Sequence, residues 1–176
     1  SPKYSVSAYM ILQRSEVSSN LNDYNSVRYG NDRTHFGEEA KRRIMLGTHS
    51  LSHGYYDAFY KKAEKARQLI IQDFDKAFKA VDLIIAPTTP STAIKKGEFE
   101  KYPFFGEMMD ILNEPAAAAG IPAISIPMGL DSNKLPIGLS FMGGRLAEEK
   151  VLSIAYQLEK ETNFMGVREE LLKKYE

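Results

Sequence analysis

Apolar and polar positions alternate along this chain in two rhythms, one helical and one continuous. Over residues 8–18, Ala8, Tyr9, Met10, Ile11, Leu12 and Val17 stand among polar groups and predict a short helix. Ser18 to Thr34 is rich in Ser, Asn, Asp and Gly, has no apolar period, and reads as a surface loop. From Glu38 a helical period returns, with Ala40, Ile44, Gly47 and Leu51 on one face, and Gly54 can close or bend that helix. A longer stripe follows: Phe59, Ala63, Ala66, Ile70, Phe74, Ala77 and Val81 recur at three- and four-residue steps.

Asp82 to Pro87 is a short apolar run, as expected of a strand covered on both faces, and it ends in the hydroxyl-rich turn Thr88 to Thr92. Residues 95–105 read as irregular. Glu107 to Ala119 predicts a helix interrupted at Pro115, because the residue before a proline is pushed away from α. Ala123 to Pro127 and Ile137 to Met142 predict two strands, joined by a turn-rich stretch suited to a hairpin-like connection. After Gly143-Gly144, Val151, Ile154, Ala155 and Leu158 share the face of a helix, and the charged tail from Val167 predicts a last short one. This order is α/β. Three strands are few for so many helices, and the first two helices have nothing of their own to pack on. Part of the sheet is therefore expected on chain outside these residues.

Composition narrows the function classes. The 176 residues are 43% hydrophobic and 26% charged, enough for one globular domain or the greater part of a larger one. Lys plus Arg and Asp plus Glu balance at 23 each, whereas a chain gripping nucleic acid or an anionic membrane alone would show a basic excess. Any nucleic-acid contact is expected to be minor or supplied by a partner. With no Cys, thiolate nucleophiles, disulfides and Cys–metal sites are excluded, and the balance leans intracellular. No apolar run approaches a membrane span, and residues 1–7 lack the apolar core of a signal peptide. The missing initiator Met is expected to reflect a cut or engineered N-terminus.

His49 and His53, four apart on the expected helix, could share a metal, but the position after the first is Ser50 where a zincin has Glu, and no third ligand is evident. Ser52, His53 and Asp57 are the residue types of a hydrolytic triad. Adjacent helix positions point apart, however, and no G-x-S-x-G elbow exists. Nothing here reads as an activated nucleophile. Gly143-Gly144 reads as a tight strand-to-helix turn rather than a phosphate loop. Lys41-Arg42-Arg43 opposes the helix dipole, and at least one of the three is expected to face inward beside Ile44, where a buried cation needs an anionic partner. Asp110, in the apolar run Met108 to Leu112, poses the mirror-image question. On pattern alone, each is either half of a structural ion pair or a ligand contact.

In order along the chain stand Glu16-Val17-Ser18-Ser19-Asn20-Leu21, Val27-Arg28-Tyr29-Gly30, the run Lys41 to Thr48, and the run Ser52 to Tyr60. Ala86-Pro87-Thr88-Thr89-Pro90, Ala119 to Pro127, and Leu135 to Leu139 follow. The series resembles the amidase signature family from about Ala8 to Leu158. The first four segments resemble more narrowly the family's glutaminase chains of tRNA-dependent amidotransferases. The resemblance implies the C-terminal part of the amidase signature fold, a mixed sheet covered by helices on both faces, with residues 1–176 forming part of a single domain whose catalytic N-terminal half is absent. It implies a glutaminase whose serine, second serine and lysine lie in that half. It also implies that ammonia passes to the B subunit of a complex, which uses ATP and Mg to amidate glutamate on tRNA(Gln). The C subunit is implied as a further partner, and the location as cytoplasmic (mitochondrial matrix or plastid in a eukaryote). By the same resemblance Arg43 holds the glutamine α-carboxylate, Asp110 its α-ammonium, and Tyr9 lines the pocket; no cofactor is implied in this chain, and no catalytic residue. Two departures stand out: Gln13-Arg14, where apolar and small residues are usual, and a shortened loop between Tyr29 and Phe36. The alternatives are the matching part of a general amidase and a non-enzymatic binding module of the same fold.

Overall fold

A computed structural model describes residues 4–21, 30–102, 104–162 and 164–173. Val27-Arg28-Tyr29 and most of the expected loop lie outside the described residues. The chain divides into two compact units at Ile70, within one long helix.

The first unit holds α1 (Ser5–Asn20), α2 (Glu38–Leu51) and the start of α3 (Tyr60–Ala77). The helix expected over 8–18 extends further at both ends, starting at Ser5 and taking in Ser19 and Asn20, whose composition suggests loop. The reason lies in its buried face. Ser5, Ala8, Leu12, Ser15 and Ser18 recur at helical steps, so small polar residues do what apolar ones do elsewhere. They are small because α2 comes very close: a Cβ on Gly47 would stand 1.8 Å from the Arg14 carbonyl oxygen and 2.8 Å from Ser18 Cβ. The first two helices thus pack on each other, a partnership that the apolar pattern does not show. Before α2, Gly30 takes φ +84° and Asp32 accepts hydrogen bonds from the Thr34 amide (2.9 Å) and hydroxyl, starting a short 3-10 turn at Arg33–His35.

The second unit is built on β1 (Leu83–Pro87), β2 (Ala123–Leu130) and β3 (Pro136–Gly143), in the order β1-β3-β2. The α/β class holds, but the sheet, expected to be mixed, pairs antiparallel throughout its described strands. β1 and β2 run alike but each pairs with β3, and β2 reaches β3 by a hairpin. Asp131 fixes that hairpin: its carboxylate accepts from the amides of Asn133 (2.7 Å) and Leu135 (2.9 Å) and from the Thr92 hydroxyl (2.7 Å). A bulge between Pro127 and Gly129 adds Met128 to β2. β1, expected to be covered on both faces, is an edge strand of this sheet, with Ile85 58% exposed.

The core of this unit is Ile126, Phe141, Val151 and Ala155, with Leu83, Ile124, Leu139, Ile154 and Leu158 packed on it. The face expected of α6 (Glu148–Thr162) is the face it buries. Gly143 permits this, since a Cβ there would meet Val151 at 2.6 Å. The last helix is α7 (Phe164–Lys173). Between β1 and β2 the single interrupted helix expected over 107–119 is two: α4 (Phe105–Met109) and α5 (Glu114–Ala119). The break falls at Asp110 to Asn113, and Pro115 sits in the first turn of α5, where its missing N–H costs nothing.

Candidate substrate-holding site

On α2, Glu38 and Glu39 occupy the first turn and offset the three cations that follow. Lys41 pairs with Glu38 at 3.1 Å. Arg42 donates to Glu39 through Nε (2.7 Å) and Nη2 (2.9 Å), and Arg43 donates to the same carboxylate through Nε (2.7 Å). These bonds, Arg42's first, pull the Glu39 carboxyl down to about 2. The anionic partner expected for a buried cation exists, but no cation of the run is buried; the Arg43 side chain is 39% exposed. Exposed pairs of this kind contribute little stability. What the pair does is hold the guanidinium by one edge, and among the described residues the Nη edge of Arg43 has no partner. Tyr9 is half-buried on α1, in the same unit, with no hydrogen bond to Arg43 among the described residues.

Asp110 lies in the second unit, as the C-terminal cap of α4. Its carbonyl accepts from the amides of Asn113 (2.8 Å) and Glu114 (2.9 Å), which turns the chain into α5. Its side chain is exposed and has no partner among the described residues. One turn on, Glu114 is only 4% exposed, and neither carboxyl oxygen has a hydrogen-bond partner among the described residues. Burial pushes this carboxyl up to about 7, and the charges of Asp110 and Glu107 push the same way. Glu114 is not among the residues that the sequence singles out, although it is a charge ahead of Pro-Ala-Ala-Ala-Ala, the same kind of signal that marks Asp110.

The histidine and triad constellations dissolve for a reason the pattern hides. α2 ends at Leu51, so Ser52, His53 and Asp57 are not helical positions. The Ser52 hydroxyl donates to the His49 carbonyl (2.7 Å), Asp57 pairs with Lys61 (2.6 Å), and the His49 ring packs on Tyr55 with centroids 4.2 Å apart. Among the described residues, no three His, Cys, Asp or Glu side chains gather as metal ligands. At the end of β1, the Thr88 hydroxyl bonds those of Ser125 (2.5 Å) and Ser140 (3.1 Å) above Gly138, where a Cβ would stand 2.7 Å from Thr88 Oγ1. A groove of about 250 Å³ beside it, between Pro87 to Thr92 and Pro136 to Gly138, includes none of Tyr9, Arg43 or Asp110.

Residues 1–152 match the amidase family, and the chain belongs to that family. Within it, the chain is similar to the A subunit of glutamyl-tRNA(Gln) amidotransferase from Halothermothrix orenii (48% identity, 96% of this chain, 38% of the relative). The A subunit of the enzyme of the same name from Brevibacillus brevis is 46% identical over 96% of this chain and 37% of its own length. The crystal structure of the A subunit of glutamyl-tRNA(Gln) amidotransferase from Thermotoga maritima superposes with a TM-score of 0.68 at 42% identity, over 92% of this chain and 33% of that one. A 6-aminohexanoate cyclic dimer hydrolase shares the fold at 17% identity, with a TM-score of 0.69 over 90% of this chain and 35% of its own. The chain thus spans under two fifths of the length of these relatives.

Proposed function

We propose that this chain supplies the substrate-holding side chains of the glutamine-hydrolysing component of a tRNA-dependent amidotransferase. The serine and lysine set that attacks the amide belongs to chain outside these residues. The observation that carries this reading is the 48% identity with the Halothermothrix orenii protein over 96% of the chain. Glutamine is a zwitterion, so a selective site needs a fixed cation and a fixed anion with the amide placed beyond them. Arg43 is the cation. Glu39 holds its Nε, and the two Nη groups can take the α-carboxylate through parallel hydrogen bonds, which a lysine cannot do. Asp110, exposed and unpartnered among the described residues, is the anion for the α-ammonium. Tyr9 lines the pocket.

Hydrolysis yields glutamate and ammonia. The ammonia passes to the B subunit, which uses ATP and Mg to amidate glutamate on tRNA(Gln). The C subunit completes a heterotrimer, and tRNA is held mainly by B. The zero net charge agrees with that division of labour. No described helix is long and apolar enough to cross a membrane. By resemblance, the complex works in the cytoplasm or, in a eukaryote, in the mitochondrial matrix or plastid.

In the complete enzyme, Arg43→Lys is expected to raise the KM for glutamine by about tenfold or more, the scale of one lost charge-assisted contact, at an unchanged melting temperature. An unchanged KM removes Arg43 from the site. Turnover of simple aliphatic amides in preference to glutamine assigns the chain to a general amidase instead.

A further inference from the structure

Glu114 has no role in the site as described so far, yet its position is a costly one. A carboxyl that is 4% exposed with both oxygens unpartnered among the described residues has nothing to offset its desolvation. It sits one helical turn after Asp110, on the helix whose first amides the Asp110 carbonyl receives. An apolar residue would suit this spot, since Pro115, Ala116 and Ala119 around it on α5 are also buried. Retaining an unpartnered acid there is unfavourable in the empty site and becomes favourable when a cation arrives.

We propose that Glu114 is a second anion of the ammonium-binding site, accepting a hydrogen bond from the same α-ammonium group that Asp110 holds. The inference rests on the assignment of Asp110 under the proposed function. A primary ammonium carries three N–H donors, more than one exposed carboxylate can satisfy. An acceptor that is dry before the ligand binds makes a stronger contact than an exposed one, because less solvent has to be displaced. Glu114 thereby makes the site selective for glutamine over amides that lack an α-amine. Burial, and then the charges of Asp110 and Glu107, oppose its ionisation, and an ammonium beside it would favour the ionised form.

The test uses the complete enzyme with glutamine and with glutaramate, which is glutamine without its α-amino group. Glu114→Gln is expected to lower kcat/KM for glutamine by about tenfold, chiefly through KM, and to leave glutaramate unchanged. The melting temperature should hold or rise, because an uncompensated buried acid has been removed. Equal effects on both substrates, or none on either, overturn the proposal. Should the Gln variant fold poorly, Glu114→Met is read by the same split between substrates. Asp110→Asn separates the two layers of argument. If it spares glutamine, the Asp110 reading fails; if it impairs glutamine while Glu114→Gln does not, only the role of Glu114 fails.

Discussion

At residue scale, the most informative group is a carboxyl in a place that does not suit a charge. Glu114 is held near 7 in the folded protein against an ordinary 4.5. Below about pH 4.5 the folded and unfolded chains are both protonated there, and stability is unaffected. As pH rises through 4.5 to 7, the unfolded chain ionises while the folded one keeps its proton, so stability falls, by at most about 3 kcal/mol once pH exceeds 7. The gap in unfolding free energy between Glu114→Gln and the parent should therefore widen from about pH 4 to about pH 8; a gap that does not change with pH contradicts the burial argument. Arg43 and Asp110 are legible in sequence as possible ligand contacts because each is a charge beside apolar neighbours. Glu114 carries the same mark, but its significance depends on an absence of partners that only tertiary packing reveals. The sharing of Glu39 between Arg42 and Arg43 follows from i+3 and i+4 spacing and is readable from the chain.

Among elements, the α1–α2 contact shows where apolar periodicity runs out. Its buried stripe on α1 is Ser, Ala, Leu, Ser, Ser, and a hydrophobic pattern does not register serines. The close approach at Gly47 explains them, since only small side chains fit where a glycine replaces a whole layer. Gly47→Ala puts a methyl into the Arg14 carbonyl and is expected to cost about 1–3 kcal/mol of stability, measured by denaturant unfolding of the complete protein. A cost near zero would mean that the helices part easily. α3 and α6 are legible because their stripes carry apolar groups at a plain helical period, although Phe59 and Val81, the ends of the stripe expected for α3, lie outside that helix and are exposed. The α4–α5 break falls elsewhere than expected because Pro115 can stop a helix or start one, and the chain's reversal at Asp110 rests on backbone hydrogen bonds that composition does not show. β1 reads as doubly covered from Leu-Ile-Ile-Ala alone, yet its position at the sheet edge leaves Ile85 exposed.

For the whole molecule, the proposed function divides labour between this chain and others. Under the proposed function these residues hold the substrate and the nucleophile lies elsewhere, and under two fifths of each relative is matched. These 176 residues prepared alone are accordingly expected to release no ammonia from glutamine; measurable release would mean that a nucleophile lies within them. The family is legible from short segments spread over the chain; one of them, Leu135 to Leu139, holds Gly138, where a Cβ would stand 2.7 Å from Thr88 Oγ1. The proposed substrate rests on resemblance alone, since charge balance and helical period do not distinguish one amidase from another. The most direct test is the rate of ammonia release from glutamine by the complete protein with the proposed B and C partners, with and without ATP and Glu-tRNA(Gln). Release is expected to depend on glutamine and to be stimulated when ATP and the charged tRNA are added together. A rate that ignores both, or that prefers a simple aliphatic amide, would contradict the assignment.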